Sequence, residues 1–249
     1  MSGHSKWSTI KRHKAKMDAA RSNVISKALR EVMLAAREGG PNPDGNVRLK
    51  IAIERAKNAN VSTDSVTRAI KRGAGQGDSG PLEELVYECY GPGGTAVLVE
   101  AATDNRNRTA SEVRYILSKN GGKLADLGAV AWMFDVKGCI QIEKGDLSED
   151  DALEMAIDAG AEDIKTEEEA YEIYTGAEDL QTVQENLEKA GATILSADTV
   201  RIPKTTVTLE GEETARMLRL IDALEEHDDV SRVYANFDIS DEIMEAMSE

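Results

Sequence analysis

The residues with the clearest chemical potential in this sequence are lysines and arginines in its first third. They recur at intervals of three, four or seven, which places them on common faces of helices. Clustered cations of this kind neutralise phosphates and release the counterions of a nucleic acid, which gives affinity without reading base sequence. The predicted nucleic-acid-binding set is Lys6, Trp7, Lys11, Arg12, Lys14, Lys16, Arg21, Lys27, Arg30, Arg48, Lys50, Arg55, Lys57, Arg68, Lys71 and Arg72. Trp7 either stacks on an unpaired base or packs against the helices.

The charges of the chain are segregated along its length. Residues 1–75 hold 16 Lys and Arg against 6 Asp and Glu, whereas residues 76–249 hold 14 against 40. A solvated helix surface normally mixes both signs, so the basic excess of the first segment favours a polyanionic partner. The net charge of −16 therefore describes neither part of the chain. We expect the acidic remainder to repel phosphates.

A second candidate anion site lies in the segment Thr103–Thr109, where Arg106 and Arg108 stand among Asp, Asn and Thr before a predicted helix. The N-terminus of a helix favours anions because its first N–H groups have no partner within the helix. The same residue types are also typical of turns and helix caps. Both interpretations, an anion site and turn chemistry, stay open at this point.

Other chemistries have weak support in the sequence. Acidic neighbours such as Asp228-Asp229 resemble paired carboxylates, but adjacent acids arise by chance in so acidic a segment. The three histidines have no metal-ligand spacing to another His or Cys, and Cys89 and Cys139 form no C-x-x-C motif. The glycines from Gly73 to Gly77 lack the Gly-Lys-Ser/Thr ending of a phosphate-binding loop. We predict no catalytic residue, no metal and no cofactor, and hence a protein that is not an enzyme.

The elements that position the basic residues are short helices. An apolar stripe that begins at Ile25 ends at Gly39, and Asn46 and Ser62 are typical caps of two further helices. These signals predict a three-helix bundle. The glycine-rich segment 73–81 predicts a linker after it.

Beyond the linker the apolar period changes from 3.6 to 2, which indicates strands. Two capping boxes, Thr109-x-x-Glu112 and Thr175-x-x-Glu178, predict helix starts, and Lys137-Gly138 predicts a turn between two strands. From this turn onward the order strand, helix, strand, strand, helix, strand is that of a ferredoxin-like βαββαβ fold. A strand over Val230–Phe237 is expected to return to the earlier sheet.

The predicted fold class is α+β: an N-terminal three-helix bundle plus two α/β domains with ferredoxin-like βαββαβ-type sheets, the third domain inserted in the second. The predicted boundaries are 1–75 for the basic helical domain, 82–132 with 204–240 for a discontinuous α/β domain, and 133–203 for the inserted domain. The longest apolar run is far shorter than the ~20 residues that cross a bilayer, so we expect a cytoplasmic protein without a membrane partner.

Several segments of this sequence resemble, in order, signature segments of the YebC family, whose members include a mitochondrial translational activator of cytochrome oxidase. The segments are Gly3-His4-Ser5-Lys6-Trp7, Arg68-Ala69-Ile70-Lys71-Arg72-Gly73, Tyr87-Glu88-Cys89-Tyr90-Gly91-Pro92-Gly93-Gly94, Thr103-Asp104-Asn105-Arg106-Asn107-Arg108-Thr109 and Trp132-Met133-Phe134-Asp135. The resemblance covers nearly the whole chain. It departs at Ile25, Val47 and Cys89, where Phe, Pro and Gly are usual, and none of these positions is charged.

The resemblance implies three domains, no catalytic residues and a cytoplasmic regulator of gene expression. Family members are generally described as DNA-binding transcriptional regulators, which makes transcription regulation the first hypothesis. The alternative is a ribosome-associated translation factor that binds RNA and relieves stalling at proline-rich sequences. A third hypothesis is a protein-only adaptor whose acidic domains bind basic proteins.

Overall fold

A computed structural model describes residues 19–75, 82–167 and 170–239. The described residues divide into two compact units, one formed by those up to Met133 together with those from Thr205, and the other by those within Phe134–Lys204. The described residues form seven α-helices together with two four-stranded antiparallel sheets. The predicted mixture of helices and β-sheets is confirmed, and both four-stranded sheets are antiparallel.

The elements are numbered in chain order. The helices are α1 (Ala19–Gly39), α2 (Val47–Asn58), α3 (Thr63–Gly73), α4 (Arg106–Lys119), α5 (Glu149–Ala159), α6 (Leu180–Lys189) and α7 (Gly211–Glu225). The strands are β1 (Glu83–Tyr90), β2 (Ala96–Thr103), β3 (Lys123–Leu124), β4 (Phe134–Glu143), β5 (Asp163–Thr166), β6 (Ala170–Gly176), β7 (Ile194–Pro203), β8 (Val207–Leu209), β9 (Val230–Ala235) and β10 (Phe237–Ile239).

Helices α1, α2 and α3 pack around an aliphatic core. The side chains of Asn46 and Ser62 accept hydrogen bonds from the backbone N–H three residues later, at 3.0 Å and 3.3 Å, so both predicted caps are confirmed. Val32 and Leu49 are completely buried between the helices. The sequence treats Gly73 as the start of a linker, but α3 extends to it. A Cβ atom there would lie 2.2 Å from the carbonyl oxygen of Met33, so only glycine allows α3 to approach α1 this closely.

The sheet of the first unit has the strand order β3-β1-β2-β9 and is antiparallel throughout. Helices α4 and α7 bury Leu117, Met217 and Ile221 in the core that contains Val97 and Val99 of β2. This unit is not a βαββαβ sheet, because two strands precede α4 and because β8 pairs outside the sheet with β10. Since β9 pairs with β2, residues far apart in sequence meet at the end of β2.

The strand predicted over 230–237 is two strands. Asn236 separates them, because its Oδ1 atom accepts from the N–H of Ala96 at 2.7 Å and its side-chain amide donates to the carbonyl of Thr205 at 3.3 Å. The chain then leaves β2, and β10 pairs in parallel with β8. A buried amide that satisfies backbone groups on two other segments cannot be recognised from local periodicity.

The second unit has the element order strand, helix, strand, strand, helix, strand, and the sheet order β5-β6-β4-β7. Its core contains Ile140, Tyr171 and Ile173 from the strands, together with Ala156 and Leu187 from α5 and α6. All six elements lie within the single compact unit that Phe134–Lys204 forms.

The turn predicted at Lys137-Gly138 is wrong, because β4 runs through both residues without interruption. A Cβ atom on Gly138 would lie 2.6 Å from Cγ2 of Thr175, so the glycine permits close packing inside the strand. Thr175 itself lies in β6, and α6 begins only at Leu180, which makes the second capping box wrong as well.

The first capping box is also wrong. Helix α4 begins at Arg106, and Asn105 caps it by accepting from the N–H of Arg108 at 3.1 Å. Thr109 therefore lies one turn inside the helix. Its hydroxyl contacts buried partners, including Thr103 at 2.9 Å.

A buried carboxylate, Glu88 in β1, holds the turn that precedes β4. It is 4% exposed and accepts hydrogen bonds from the backbone N–H groups of Val130 at 2.7 Å and Ala131 at 2.8 Å, with a third from Gly128. Burial alone would raise the pKa of Glu88, but these backbone hydrogen bonds outweigh it and the pKa is lowered. The charged form is therefore the one that stabilises the fold.

We expect Glu88→Gln to lower the free energy of unfolding by about 1–3 kcal/mol, because an amide cannot accept from all three N–H groups. A group with a lowered folded-state pKa stabilises the protein above its unfolded pKa and loses this contribution as the pH falls. The variant should thus differ most from the native chain at neutral pH and least in acid. Urea unfolding at pH 7 and pH 4 measures both, with Glu83→Gln as the exposed control in the same strand. A difference independent of pH would contradict this account.

Candidate nucleic-acid interface

The predicted nucleic-acid-binding residues fall into three groups. Lys6, Trp7, Lys11, Arg12, Lys14 and Lys16 lie outside the described residues. The backbone of Arg21 belongs to α1, but its side chain is not described. The other nine are positioned by α1, α2 and α3, and the structure divides them by what their side chains contact.

Four cations project into solvent from the outer surfaces of α2 and α3, and we call them the open cations: Lys50, Lys57, Arg68 and Lys71. Lys50 and Lys57 stand seven residues apart on α2, and Arg68 and Lys71 stand three apart on α3. The three lysines make no ion pair with any residue in the described ranges. Among the residues that the structure describes, the partners of Arg68 are local ones in its own helix, the carbonyl of Asp64 and the hydroxyl of Ser65.

Two arginines on α2 are paired with acids. Arg55 contacts Glu31 of α1 at 2.6 Å. Arg48 contacts Glu38 of α1 and lies 3.7 Å from Glu84 of β1. They share a helix with Lys50 and Lys57 but have much of their charge neutralised within the protein.

Three further cations contact the acidic part of the chain, and two of them, Arg30 and Arg72, line a cleft between the helices and the sheet of the same unit. Lys27 donates to the carbonyl of Glu225, and Arg30 donates to the carbonyl of Asp228. Arg72 lies 3.5 Å from a carboxylate oxygen of Asp104. The cleft has a volume of about 580 Å³ and is lined by Arg30, Met33, Arg72, Leu82, Asp104, Arg108, Glu112, Glu226, His227, Asp228 and Asp229. The acidic part of the chain thus engages part of the predicted basic surface.

The centre of this contact is Asp229, which is 2% exposed. One of its oxygens accepts from Thr109 at 2.6 Å, Arg108 at 2.8 Å and Thr103 at 3.1 Å, while the other pairs with Arg30 at 3.0 Å. Burial would raise the pKa of Asp229, but the hydrogen bonds from Arg108 and Thr109 and the charge of Arg30 lower it overall. We call Asp229 with these four partners the Asp229 latch. It joins α1 to the end of β2, the start of α4 and the start of β9.

The latch shows what holds one arginine of the Thr103–Thr109 segment, for which the sequence leaves an anion site and turn chemistry both open. Arg108 is held by Asp229 and by Asp104, at 2.8 Å and 3.2 Å. Arg106 is exposed and lies 3.7 Å from Glu83. Together with the cap formed by Asn105, these contacts favour turn and capping chemistry for this segment.

One group of possible metal ligands lies beside the latch: Glu112, His227 and Asp229. Nδ1 of His227 accepts from the backbone N–H of Asp229 at 3.1 Å, so its Nε2 carries the proton and meets Glu112 at 2.8 Å. The oxygens of Asp229 already have cationic and hydroxyl partners. The side chains of Glu112 and His227 are thus hydrogen-bonded to each other, whereas the bond between His227 and Asp229 is made by the backbone N–H of Asp229.

Neither acidic pairs nor strand periodicity predicts the latch. Asp228-Asp229 looked like one of many acidic pairs, and the periodicity of β9 says nothing about a partner on α1, almost 200 residues earlier. A usable signal was the grouping of Thr103, Arg108 and Thr109, which are the donors that a buried carboxylate requires.

Comparisons with known proteins cover almost the whole chain. Residues 5–76 match the model described as the TACO1/YebC protein N-terminal domain, and residues 82–237 match the TACO1/YebC second and third domain. A protein of Pelotomaculum thermopropionicum called a probable transcriptional regulatory protein is 55% identical over 97% of this chain and 100% of its own length. A Persephonella marina protein with the same description is 51% identical over 100% of both chains.

A solved structure matches as well. The crystal structure of a conserved hypothetical protein, Aq1575, from Aquifex aeolicus superposes with a TM-score of 0.83 at 48% identity, covering 90% of this chain and 93% of that one. In the described part of the chain, no helix has the length and apolar content needed to cross a membrane.

Proposed function

The chain belongs to the TACO1/YebC family, and from this premise we propose that it is a non-enzymatic, cytoplasmic regulator of gene expression that binds DNA through its basic helices. Relatives that are half identical to it over their full length are described as probable transcriptional regulatory proteins. The observation that carries the DNA-binding part of the proposal is the set of open cations on α2 and α3.

Open cations suit phosphate binding better than paired ones. A lysine without an internal partner neutralises a phosphate and releases a counterion at little cost within the protein. An arginine already bound to a carboxylate must first give up that contact. We therefore assign the strongest phosphate contacts of the described residues to Lys50, Lys57, Arg68 and Lys71.

In this proposal residues 1–75 form the nucleic-acid-binding domain. The segments 82–132 with 204–240 form a second domain, and residues 133–203 form a third. Both of these carry the excess of acids, so they are expected to stay away from the phosphates and to contact proteins. Contacts to phosphates alone set position and affinity, so the protein should discriminate weakly between base sequences.

The proposal is tested by replacing Lys6, Lys11, Arg12 and Lys14 with alanine in cells. If the protein regulates transcription, the variant should leave chromosomal sites, and messenger RNA changes at those sites should precede any change in ribosome occupancy. Chromatin occupancy, RNA sequencing and ribosome profiling on matched samples measure the order of events. The control replaces Lys119, Lys123, Lys144 and Lys204, four lysines outside the helical segment.

The result that would overturn the DNA assignment is equally specific. If the variant without Lys6, Lys11, Arg12 and Lys14 is instead lost from ribosomal fractions, while stalling at proline-rich stretches stays unrelieved and transcripts are initially unchanged, these basic residues bind RNA on the ribosome.

A further inference from the structure

Helix α5 of the second unit combines acidic and exposed apolar residues. Its eleven residues include five acids and no base. Ala152, Ala156 and Ala159 are buried against the sheet and α6. Leu153 and Ile157, however, are 45% and 64% exposed.

These two side chains are not needed for the core, since the three alanines already provide the buried face. They stand four residues apart, so they lie one above the other on one side of the helix. Successive residues of a helix are rotated by about 100°, so Asp150, Glu154 and Asp158 lie beside this apolar pair, on one flank of it. The exposed surface is thus an apolar pair bordered by a row of carboxylates.

A strand partner is disfavoured at this side of the unit. Strand β5 is an edge strand, and the side chain of Asp163 accepts from the N–H of Ile164 at 2.9 Å. A charged side chain that occupies an edge N–H opposes the addition of another strand. The partner that fits is one that lies across the helix surface.

We propose that the face of α5 formed by Asp150, Leu153, Glu154, Ile157 and Asp158, here called the α5 face, binds a basic amphipathic helix of a protein partner. Two apolar side chains of that helix, at i and i+3 or i+4, would cover Leu153 and Ile157. Its lysines or arginines would lie along the row of carboxylates.

Charge complementarity identifies this occupant. Residues 134–204 contain 19 acids and 6 bases, so a nucleic acid or an acidic segment is repelled. A second copy of α5 is excluded for the same reason, because every charged residue of its own face is an acid. An apolar partner without charge would leave the carboxylate row unused, whereas a basic helix satisfies both features.

The probe is a fluorescein-labelled 14-residue peptide of two Leu-Lys-Lys-Leu-Leu-Lys-Lys repeats, titrated with the full-length protein and followed by anisotropy. The comparison peptide has the same composition with its leucines spread evenly around the helix. We expect the patterned peptide to bind at least fivefold more tightly than the scrambled one. The double variant Leu153→Ser with Ile157→Ser should remove that difference.

Two matched double charge reversals test whether the peptide binds the α5 face or any acidic surface of the protein. Glu154→Lys with Asp158→Lys should weaken binding at least tenfold, whereas Glu185→Lys with Glu188→Lys on α6 should change it less than threefold. All the replaced side chains are exposed or half-buried at the surface, so the variants are expected to fold, which circular dichroism checks. Equal effects of the two reversals, or equal binding of both peptides, would overturn the proposal.

Discussion

Replacing Asp229 with asparagine is expected to lower the free energy of unfolding by about 3 kcal/mol, because it leaves two arginines without their shared counter-charge. Arg30 is partly buried, with 19% of its side chain exposed, and Arg108 loses the shorter of its two carboxylate contacts. Asparagine keeps the shape of the side chain, so the loss reports charge and hydrogen bonding and not a cavity. Urea unfolding at pH 7 measures it.

The neighbouring residue offers a close control. Asp228 is exposed, and Arg30 contacts only its backbone carbonyl, so Asp228→Asn should change the unfolding free energy by less than about 0.5 kcal/mol. Because the pKa of Asp229 is lowered, the latch stabilises the native chain above the unfolded pKa of an aspartate and weakens as the pH falls through the folded value. The two variants should therefore converge in acid. Equal stability of both at pH 7 would show that the latch does not hold the helices to the sheet.

Features determined by local sequence could be predicted well. Asn46 and Ser62 cap helices because a short polar side chain can reach an N–H three residues later, and the sequence alone reveals that reach. The alternation of the second unit also indicated its order of strands and helices. In each case the deciding contact is made within a few residues.

Features determined by distant contacts could not be predicted. Gly138 reads as a turn residue, but what requires glycine there is a threonine on the neighbouring strand. Asn236 ends β9 because of backbone groups more than 30 and more than 100 residues away. Thr109 reads as a helix cap, yet its hydroxyl serves the latch. The sequence neighbours of such residues predict a turn or a helix cap, whereas their contacts in the fold give them a different role.

For the basic residues, too, the sequence predicts one part of their role and distant contacts determine the rest. The sequence identifies sixteen basic residues in the first 75 but cannot say which have acidic partners. Arg48 and Arg55 have the same seven-residue spacing as Lys50 and Lys57 and lie on the same helix. Only the fold reveals that the arginines meet carboxylates whereas the lysines meet solvent.

That difference leads to the second prediction with a large effect. Replacing Lys50 and Lys57 with alanine should make the dependence of log affinity for duplex DNA on log salt shallower by roughly 2, since each phosphate contact contributes about 0.9 to the slope. Replacing Arg48 and Arg55 removes the same number of charges from the same helix. Their charges are already neutralised by Glu31 and Glu38, so the slope should change by less than about 1.

The paired design separates specific phosphate contacts from net charge. If only the total charge of the helices mattered, both double variants would weaken binding equally at every salt concentration. Titrations of a fluorescent 20-base-pair duplex between 50 and 300 mM salt, monitored by anisotropy, distinguish the two cases. A change confined to the lysine variant would identify the open cations as the residues that meet phosphate. A larger change in the arginine variant would mean that its ion pairs break on binding and that the surface of α2 is rearranged by the nucleic acid.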